Sequence, residues 1–285
     1  MNPLQDVQLS FIGSGVMAEA IIAGLLRREL VKPEQITGSH PRAARRDELK
    51  EKYSINVIES NREAAAFAQA DTANETARAG SIVVLAVKPQ RLGGILGELR
   101  GHLQQDQLVV SIIAGARLEK IAEELLHPAV VRSMPNTPAQ ISQGMTVWTS
   151  TDAVSETQRA QARALFSALG REMHVEEERM IDMATALSAT GPTYIFLVME
   201  ALVDAGVHMG FSRHIAQELV QQTMLGSVMF AMESHKHPAE LRNMVTSPGG
   251  TSAEAIYQME KGSLRTVLSK AVWAAFQRAE SLGKK

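Results

Sequence analysis

A strand, a glycine turn and a helix follow one another near the start of this chain, and no other stretch narrows its fold so far. Val7-Gln8-Leu9-Ser10-Phe11-Ile12 is a short apolar run that stops at Gly13. G-S-G-V-M-A, Gly13 to Ala18, comes next, and Glu19 to Leu26 carries helical spacing. In that order the residues match a dinucleotide-binding turn. Gly13 permits the tight bend, Gly15 lets a pyrophosphate reach the backbone, and Ala18 stands where a third glycine would meet the strand. The plainer alternative is a strand-to-helix turn that binds nothing; the flanking elements favour the cofactor.

The second strand is expected at Gln35-Ile36-Thr37-Gly38-Ser39, and its end bears on which cofactor is held. An NAD site uses Asp or Glu there for the ribose 2′-hydroxyl, whereas an NADP site uses small polar and basic groups. Here Ser39-His40-Pro41-Arg42 is followed by Arg45 and Arg46, with no acid before Asp47. Hydroxyl and guanidinium groups suit a 2′-phosphate, so NADPH is the expected cofactor, with NADH possible. Residues 62–80 are alanine-rich and polar and predict surface helical turns. Ser81 to Val87 is a nearly unbroken apolar run, as expected of a strand buried on both faces, and ends at Lys88-Pro89. Leu108 to Ile113, ending at Ala114-Gly115, and Val130 to Met134, ending at Pro135-Asn136-Thr137-Pro138, repeat that pattern. Met145 to Trp148 and Glu172 to Val175 read as further strands. Strands alternating with helical segments predict an α/β fold over residues 1–177, a Rossmann-type doubly wound parallel sheet.

From about Ile181 strand signals cease, and residues 178–285 are expected to form an all-α domain. Asp182 to Gly210 has helical spacing, with a break at Gly191-Pro192. Ser212 is placed to cap a second helix, Pro238 opens a third, and Ser263 precedes a last one reaching Leu282. These helices are apolar over wide faces, which predicts a second subunit and an obligate oligomer. Met199, Met209, Met224, Met229, Met232 and Met244 read as core filler.

Composition removes several classes of partner. The net charge of the 285 residues is −2, which favours neither nucleic acid nor an anionic membrane. There are no cysteines, so disulfides, thiolate metal sites and cysteine nucleophiles are excluded. No apolar run approaches the ~20 residues of a membrane span, and the N-terminus lacks a signal-peptide pattern; a cytoplasmic protein is expected. His235 and His237 are two apart, the wrong spacing for ligands on one helical face, and no metal site is predicted.

A second glycine stretch, V-T-S-P-G-G-T-S-A-E-A-I (Val245 to Ile256), separates two helical patterns. Pro248, Gly249 and Gly250 stop the first helix, and Thr251 reads as the N-cap of the next, with Glu254 completing a capping box. Such a junction offers free backbone N–H groups and a positive dipole end to a small anion. A helix–helix turn without a ligand is the alternative.

Taken together, the glycine fingerprint, A-V-K-P (Ala86 to Pro89), M-P-N-T-P (Met134 to Pro138), the G-P break and S-P-G-G-T-S (Ser247 to Ser252) resemble the pyrroline-5-carboxylate reductase family over nearly the whole chain. The resemblance implies an N-terminal NAD(P)H domain and C-terminal helices that interlock into a dimer, in some members assembled further into decamers. It implies hydride transfer to the C=N bond of 1-pyrroline-5-carboxylate, giving proline. By position, Gly13, Gly15, Val16 and Met17 would hold the pyrophosphate, and Ser39 with Arg42 the adenosine phosphate. Asn61 matches a cofactor-contacting asparagine, Ala86, Val87 and Lys88 would line the nicotinamide ribose, and Ala114 and Gly115 the carboxamide. Ser247 and the N–H groups of Gly250 and Thr251 would hold the substrate carboxylate, and Ser252 is the expected catalytic hydroxyl beside the ring nitrogen. Where the family reads G-S-G-P this chain has Ala189-Thr190-Gly191-Pro192, it has Ser252 for the usual threonine, and its segment after Asn61 is longer.

A protonated imine is already an electrophile, so orientation, an anion anchor and one hydroxyl suffice. Reduction of another cyclic imine carboxylate remains open because two of those departures touch the pocket. A β-hydroxyacid dehydrogenase would need an interdomain lysine, and none lies between Lys120 and Lys236. A non-catalytic NADPH sensor would have no use for the hydroxyls of Ser247, Thr251 and Ser252.

Overall fold

The computed structural model describes residues 2–67 and 80–283. Its strands are β1 (Gln8–Ile12), β2 (Ile36–Ser39), β3 (Asn56–Ile58), β4 (Ser81–Leu85), β5 (Leu108–Ser111), β6 (Val130–Met134), β7 (Gly144–Ser150) and β8 (Gly170–His174). They form one sheet in the order β3-β2-β1-β4-β5-β6-β7-β8. Strands β1 to β6 are parallel, and the order reverses between β1 and β4, as in a doubly wound fold. The expectation of a wholly parallel sheet needs one correction. β7 runs antiparallel to β6, and β8 follows β7, because a short turn at Thr137–Ile141, rather than a crossover helix, joins β6 to β7.

Alternation along the strands assigns residues to two cores. Phe11 and Val84 join Ile21, Leu25, Leu49, Leu165 and Phe166 from α1 (Val16–Arg27), α2 (Ala43–Tyr53) and α6 (Glu156–Ser167). Their neighbours Ile12, Val83 and Leu85 pack with Ala64, Leu96 and Ile121 from α3 (Asn61–Phe67), α4 (Leu92–Leu99) and α5 (Leu118–Leu125). Full burial of each large apolar side chain among these contributes roughly 1.5–3 kcal/mol. Of the helical turns expected over 62–80, α3 supplies the first; residues 68–79 lie outside the described residues. Strand β3 was not anticipated.

Helix α7 (Arg179–Ala184) runs into a π-helical turn, Thr185–Ala189, and then α8 (Gly191–His208). Its anchor is ionic: Arg132 of β6, buried, reaches Asp182 at 2.5 Å and Glu178 at 2.8 Å, and Glu178 also accepts the Leu118 N–H. Asn136 ties the π turn down, with its Oδ1 taking the Met145 N–H and its Nδ2 donating to Ser188. The rest is α9 (Arg213–Ser234), α10 (Pro238–Met244), α11 (Thr251–Lys261) and α12 (Leu264–Leu282). Ser212 caps α9 as expected, accepting the Ile215 N–H.

The chain divides into two compact units, one reaching Thr190 and including residues from Ala275 on, the other Gly191–Ala274. Within the second, α8 and α9 approach closely where Gly206 faces Ala216, and Arg213 pairs with Asp204. Much of its apolar surface is uncovered in the single chain: Phe196, Leu197, Val228 and Phe230 are all at least half exposed. Met209, Met229, Met232 and Met244 are exposed as well, so these four do not fill this chain's own core. The helical stretch Arg179–His208 is long and apolar enough to cross a membrane by length and composition. The expectation that no apolar run is long enough is corrected here: Asp182, Thr185 and Thr190 interrupt the stretch without lowering its mean hydropathy below that of a span.

Candidate functional site

The first glycine turn is held from three sides. Gly13 has φ +89°, and a Cβ there would lie 2.7 Å from Val87 Cγ1 and 3.1 Å from the Ala86 oxygen; only glycine fits. The Ala86 N–H donates to the Ile12 oxygen at 2.9 Å. The Gly13 N–H donates to Ser39 Oγ at 3.1 Å, and that hydroxyl donates to Asn61 Oδ1 at 2.7 Å. Five residues expected from sequence at the cofactor, Gly13, Ser39, Asn61, Ala86 and Val87, therefore form one cluster at the carboxyl edge of the sheet.

Gly15 caps α1 in an extended conformation, and no side chain caps the helix. A Cβ on Gly15 would meet nothing within 4 Å. Val16 is exposed, Met17 packs on the core, and among the described residues no acceptor takes either N–H. Ser14 Oγ is buried without a partner among them. An open helix N-terminus with free N–H groups fits the pyrophosphate of a dinucleotide.

The basic residues after β2 divide. Arg45 is engaged, donating to the Ser14 oxygen at 3.2 Å and pairing with Glu19 and Glu48. Arg46 donates to the oxygens of His40 and Pro41 and pairs with Glu59. Arg42 alone keeps an exposed guanidinium with no partner among the described residues. Burial above all, with the positive field of all three arginines, pushes the His40 imidazole down, and its Nδ1 accepts the Arg42 N–H. Ser39 is fully buried, its hydroxyl committed within the chain. Lys88 is exposed just before a short turn at Pro89–Arg91. Ala114 and Gly115 follow β5, beside the β4 end; Gly115 has φ +76°, and a Cβ there would lie 2.7 Å from Leu282 Cβ.

The second glycine stretch lies in the other compact unit. Ser247-Pro248-Gly249-Gly250 forms a turn closed by the Gly250 N–H donating to the Ser247 oxygen at 3.0 Å, with Gly249 at φ +70°. One expectation is corrected here: the N-cap is Gly250, and Thr251 is the first residue of α11. No capping box forms, and Glu254 instead accepts from Gln258. Glycine takes the extended cap conformation readily, and a Cβ at Gly250 would lie 2.6 Å from Ser247 Oγ, so the serine hydroxyl occupies that space. Among the described residues no acceptor takes the N–H of Thr251 or Ser252. Ser247 and Thr251 are exposed and Ser252 half-buried. The turn thus brings together two free N–H groups and the hydroxyls of Ser247, Thr251 and Ser252, suited to a small carboxylate.

Sequence reasoning missed Glu98, whose carboxylate accepts from Asn61 Nδ2 at 2.8 Å, and the ties made by Arg132 and Asn136. Apart from the Asn136–Met145 bond, these contacts join residues at least 37 positions apart.

Comparison with known proteins gives concordant matches. A family model for pyrroline-5-carboxylate reductase dimerisation matches residues 178–282, and one described as NADP oxidoreductase, coenzyme F420-dependent, matches 8–115. The pyrroline-5-carboxylate reductase of Synechocystis sp. is 41% identical over 98% of this chain and 100% of its own length. A Plasmodium falciparum pyrroline carboxylate reductase solved with NADP bound has a TM-score of 0.85 at 30% identity, covering 98% of this chain and 99% of the other. The Coxiella burnetii pyrroline-5-carboxylate reductase structure has the same TM-score at 35% identity and the same coverage of both chains.

Proposed function

The chain belongs to the pyrroline-5-carboxylate reductase family, and from that premise we propose how its residues divide the reaction. The enzyme is an NAD(P)H-dependent oxidoreductase that reduces the C=N bond of 1-pyrroline-5-carboxylate to give proline, and it is a homo-oligomer through its helical region. The functional domains are 1–177 for the cofactor and 178–285 for substrate and dimerisation.

When bound, the reduced nicotinamide supplies the hydride that the imine carbon accepts. Gly15 leaves room for the pyrophosphate, which the N–H groups of Val16 and Met17 hold, and Gly13 keeps the turn tight. Ser39 and Asn61 shape the adenosine side, and Arg42 offers its guanidinium to a 2′-phosphate, so NADPH is preferred over NADH. Ala86, Val87 and Lys88 line the nicotinamide ribose, with Ala114 and Gly115 at the carboxamide. In the second turn the Gly250 N–H is already donated to Ser247. The substrate carboxylate is therefore gripped by the Thr251 and Ser252 N–H groups and the Ser247 hydroxyl, and Gly250 serves by lacking a side chain. The Ser252 hydroxyl orients the ring nitrogen and relays a proton; an unperturbed hydroxyl is too weak an acid to act without the imine's own charge.

The observation that carries this reading is the glycine-capped start of α11, with free N–H groups flanked by serine hydroxyls, inside the region that matches the family's dimerisation model. Purified enzyme should oxidise NADPH when given 1-pyrroline-5-carboxylate; activity confined to 2-keto or 3-hydroxy acids would overturn the assignment. Ser252→Ala should lower turnover about 10²-fold while NADPH affinity holds. Ala189, Thr190 and Ser252 keep a second cyclic imine substrate in view, tested by assaying six-membered homologues alongside. The exposed faces of α8 and α9 support a dimer, with further assembly into a decamer measured by sedimentation. A chain with no cysteine suits a reducing cytoplasm.

A further inference from the structure

Glu98, on α4, belongs to no motif and lies outside both glycine turns, yet it ends a chain of hydrogen bonds that reaches the first of them. Its carboxylate accepts from Asn61 Nδ2 at 2.8 Å. Asn61 Oδ1 accepts from Ser39 Oγ at 2.7 Å, and Ser39 Oγ accepts from the Gly13 N–H at 3.1 Å. Arg62, next to Asn61, also donates to the Glu98 backbone oxygen at 2.8 Å.

We propose that Glu98 is a positioning residue for the cofactor, acting by fixing which way the Asn61 amide faces. A carboxylate can only accept, so the Asn61 nitrogen must face Glu98 and its oxygen must face Ser39. The Ser39 proton then goes to Asn61, and the Ser39 oxygen receives the Gly13 N–H. One acceptor-only group thereby sets the direction of both side-chain bonds in the relay, and the Gly13 N–H, a donor in either case, ends it. It also leaves the second Asn61 N–H, which no described residue takes, as a donor available to a ligand.

A competing arrangement is built into the same atoms. Ser39 Oγ lies 3.4 Å from the Phe11 oxygen, so with the amide flipped the hydroxyl can donate there and accept from Asn61 instead. Asn61 would then turn its oxygen to the Glu98 side, where the carboxylate opposes it, and offer a lone pair in the place of its second N–H. A phosphate, which offers only acceptors at neutral pH, is repelled by that oxygen, whereas a ribose hydroxyl can donate to it. The state Glu98 selects therefore favours the phosphorylated dinucleotide. This rests on the assignment of Gly13, Ser39 and Asn61 to the cofactor.

The test is steady-state kinetics of the whole enzyme with NADPH and with NADH, for wild type, Glu98→Ala, Glu98→Gln and Asn61→Ala. Glu98→Ala should raise KM for NADPH about tenfold and KM for NADH less than about twofold, with kcat held. Glu98→Gln should restore most of the NADPH affinity, because its amide oxygen can still take the Asn61 N–H. If Glu98→Ala raises both KM values alike, or neither, while Asn61→Ala weakens NADPH, Glu98 is an ordinary structural contact and the inference fails alone. If Asn61→Ala leaves NADPH affinity intact, the cofactor assignment of Asn61 fails first and takes the inference with it.

Discussion

Two helices in this molecule begin in nearly the same way, and under the proposed function the contrast between their surroundings separates a site for a large ligand from a site for a small one. Gly15 caps α1 at φ −80°, ψ −169°, and Gly250 caps α11 at φ −81°, ψ 167°. Neither cap uses a side chain, and each follows a glycine of positive φ, Gly13 or Gly249. Around them the crowding is inverted. At the first helix the bend is wedged against Val87 and the cap is open; at the second the bend is open, with nothing within 4 Å of a Cβ on Gly249, and Ser247 presses on the cap. Free N–H groups alone do not choose a ligand. The space around them is what the proposal rests on: an extended dinucleotide at the open cap, and a lone carboxylate flanked by hydroxyls at the closed one.

The strongest attempt to break this contrast is Gly15→Val. Its backbone conformation is open to any residue and its Cβ meets nothing, so the fold should survive, with the melting temperature within about 2 °C of wild type. The side chain would fill the space a pyrophosphate needs, and NADPH binding by fluorescence titration should fall by about 10²-fold or more. Undiminished binding would mean that the openness of this cap has no bearing on the cofactor.

Gly250→Ala is the mirror experiment and should act on the other ligand. The new methyl must displace the Ser247 hydroxyl, raising KM for the imine about tenfold while KM for NADPH stays put. A rise in the NADPH value instead would merge two sites that the contrast holds apart.

The smallest effect concerns how the first turn is anchored. Burial pushes the Glu19 carboxyl up, but hydrogen bonds from Lys52, Arg45 and Tyr53 outweigh it and hold the group at about 2, against an ordinary 4.5. Because the folded value is the lower one, the stabilisation is fully present above the ordinary value and is lost progressively as pH falls towards the folded one. Arg45, the partner of Glu19, is also the donor to the Ser14 oxygen, so acid should loosen this turn. At the second turn, Glu254 in the first turn of α11 bonds Gln258 and offers no such anchor. Thermal melts between about pH 5 and about pH 3 should show a shallower loss of stability in Glu19→Gln than in wild type. Equal slopes would remove Glu19 from the account.

Much of this was legible in the sequence because it is local. The run from Val7 to Ala18 carries strand, bend and cap in consecutive residues, and the apolar runs at Ser81, Leu108 and Val130 announce strands buried on both faces. What escaped was short, directional or long-range. β3 is three residues long and opens with an exposed asparagine, too little for a period to register. Strand direction leaves no trace in side-chain alternation, so β7 looked like its neighbours. Thr251 reads as a cap in the sequence because serine and threonine caps are visible as residue types, whereas a glycine cap shows only in its dihedral angles. The four exposed methionines read as core filler because an apolar side chain favours burial, but residue type does not say what covers it. Glu98 and Asn61 lie 37 residues apart, and Arg132 and Asp182 lie 50 apart, beyond any window over which a pattern can be read.

Strands β7 and β8 start at paired glycines, Gly144 and Gly170. A Cβ on Gly170 would overlap the Gly144 backbone, and one on Gly144 would stand 2.8 Å from the Ala139 Cα. Neither position tolerates even a methyl group, though neither belongs to either ligand-binding turn. A saturation scan scored by growth without proline would therefore find two invariant positions at this sheet margin. Their intolerance would report the distance between two backbones, and ranking sites by mutational sensitivity alone would mistake that seam for chemistry.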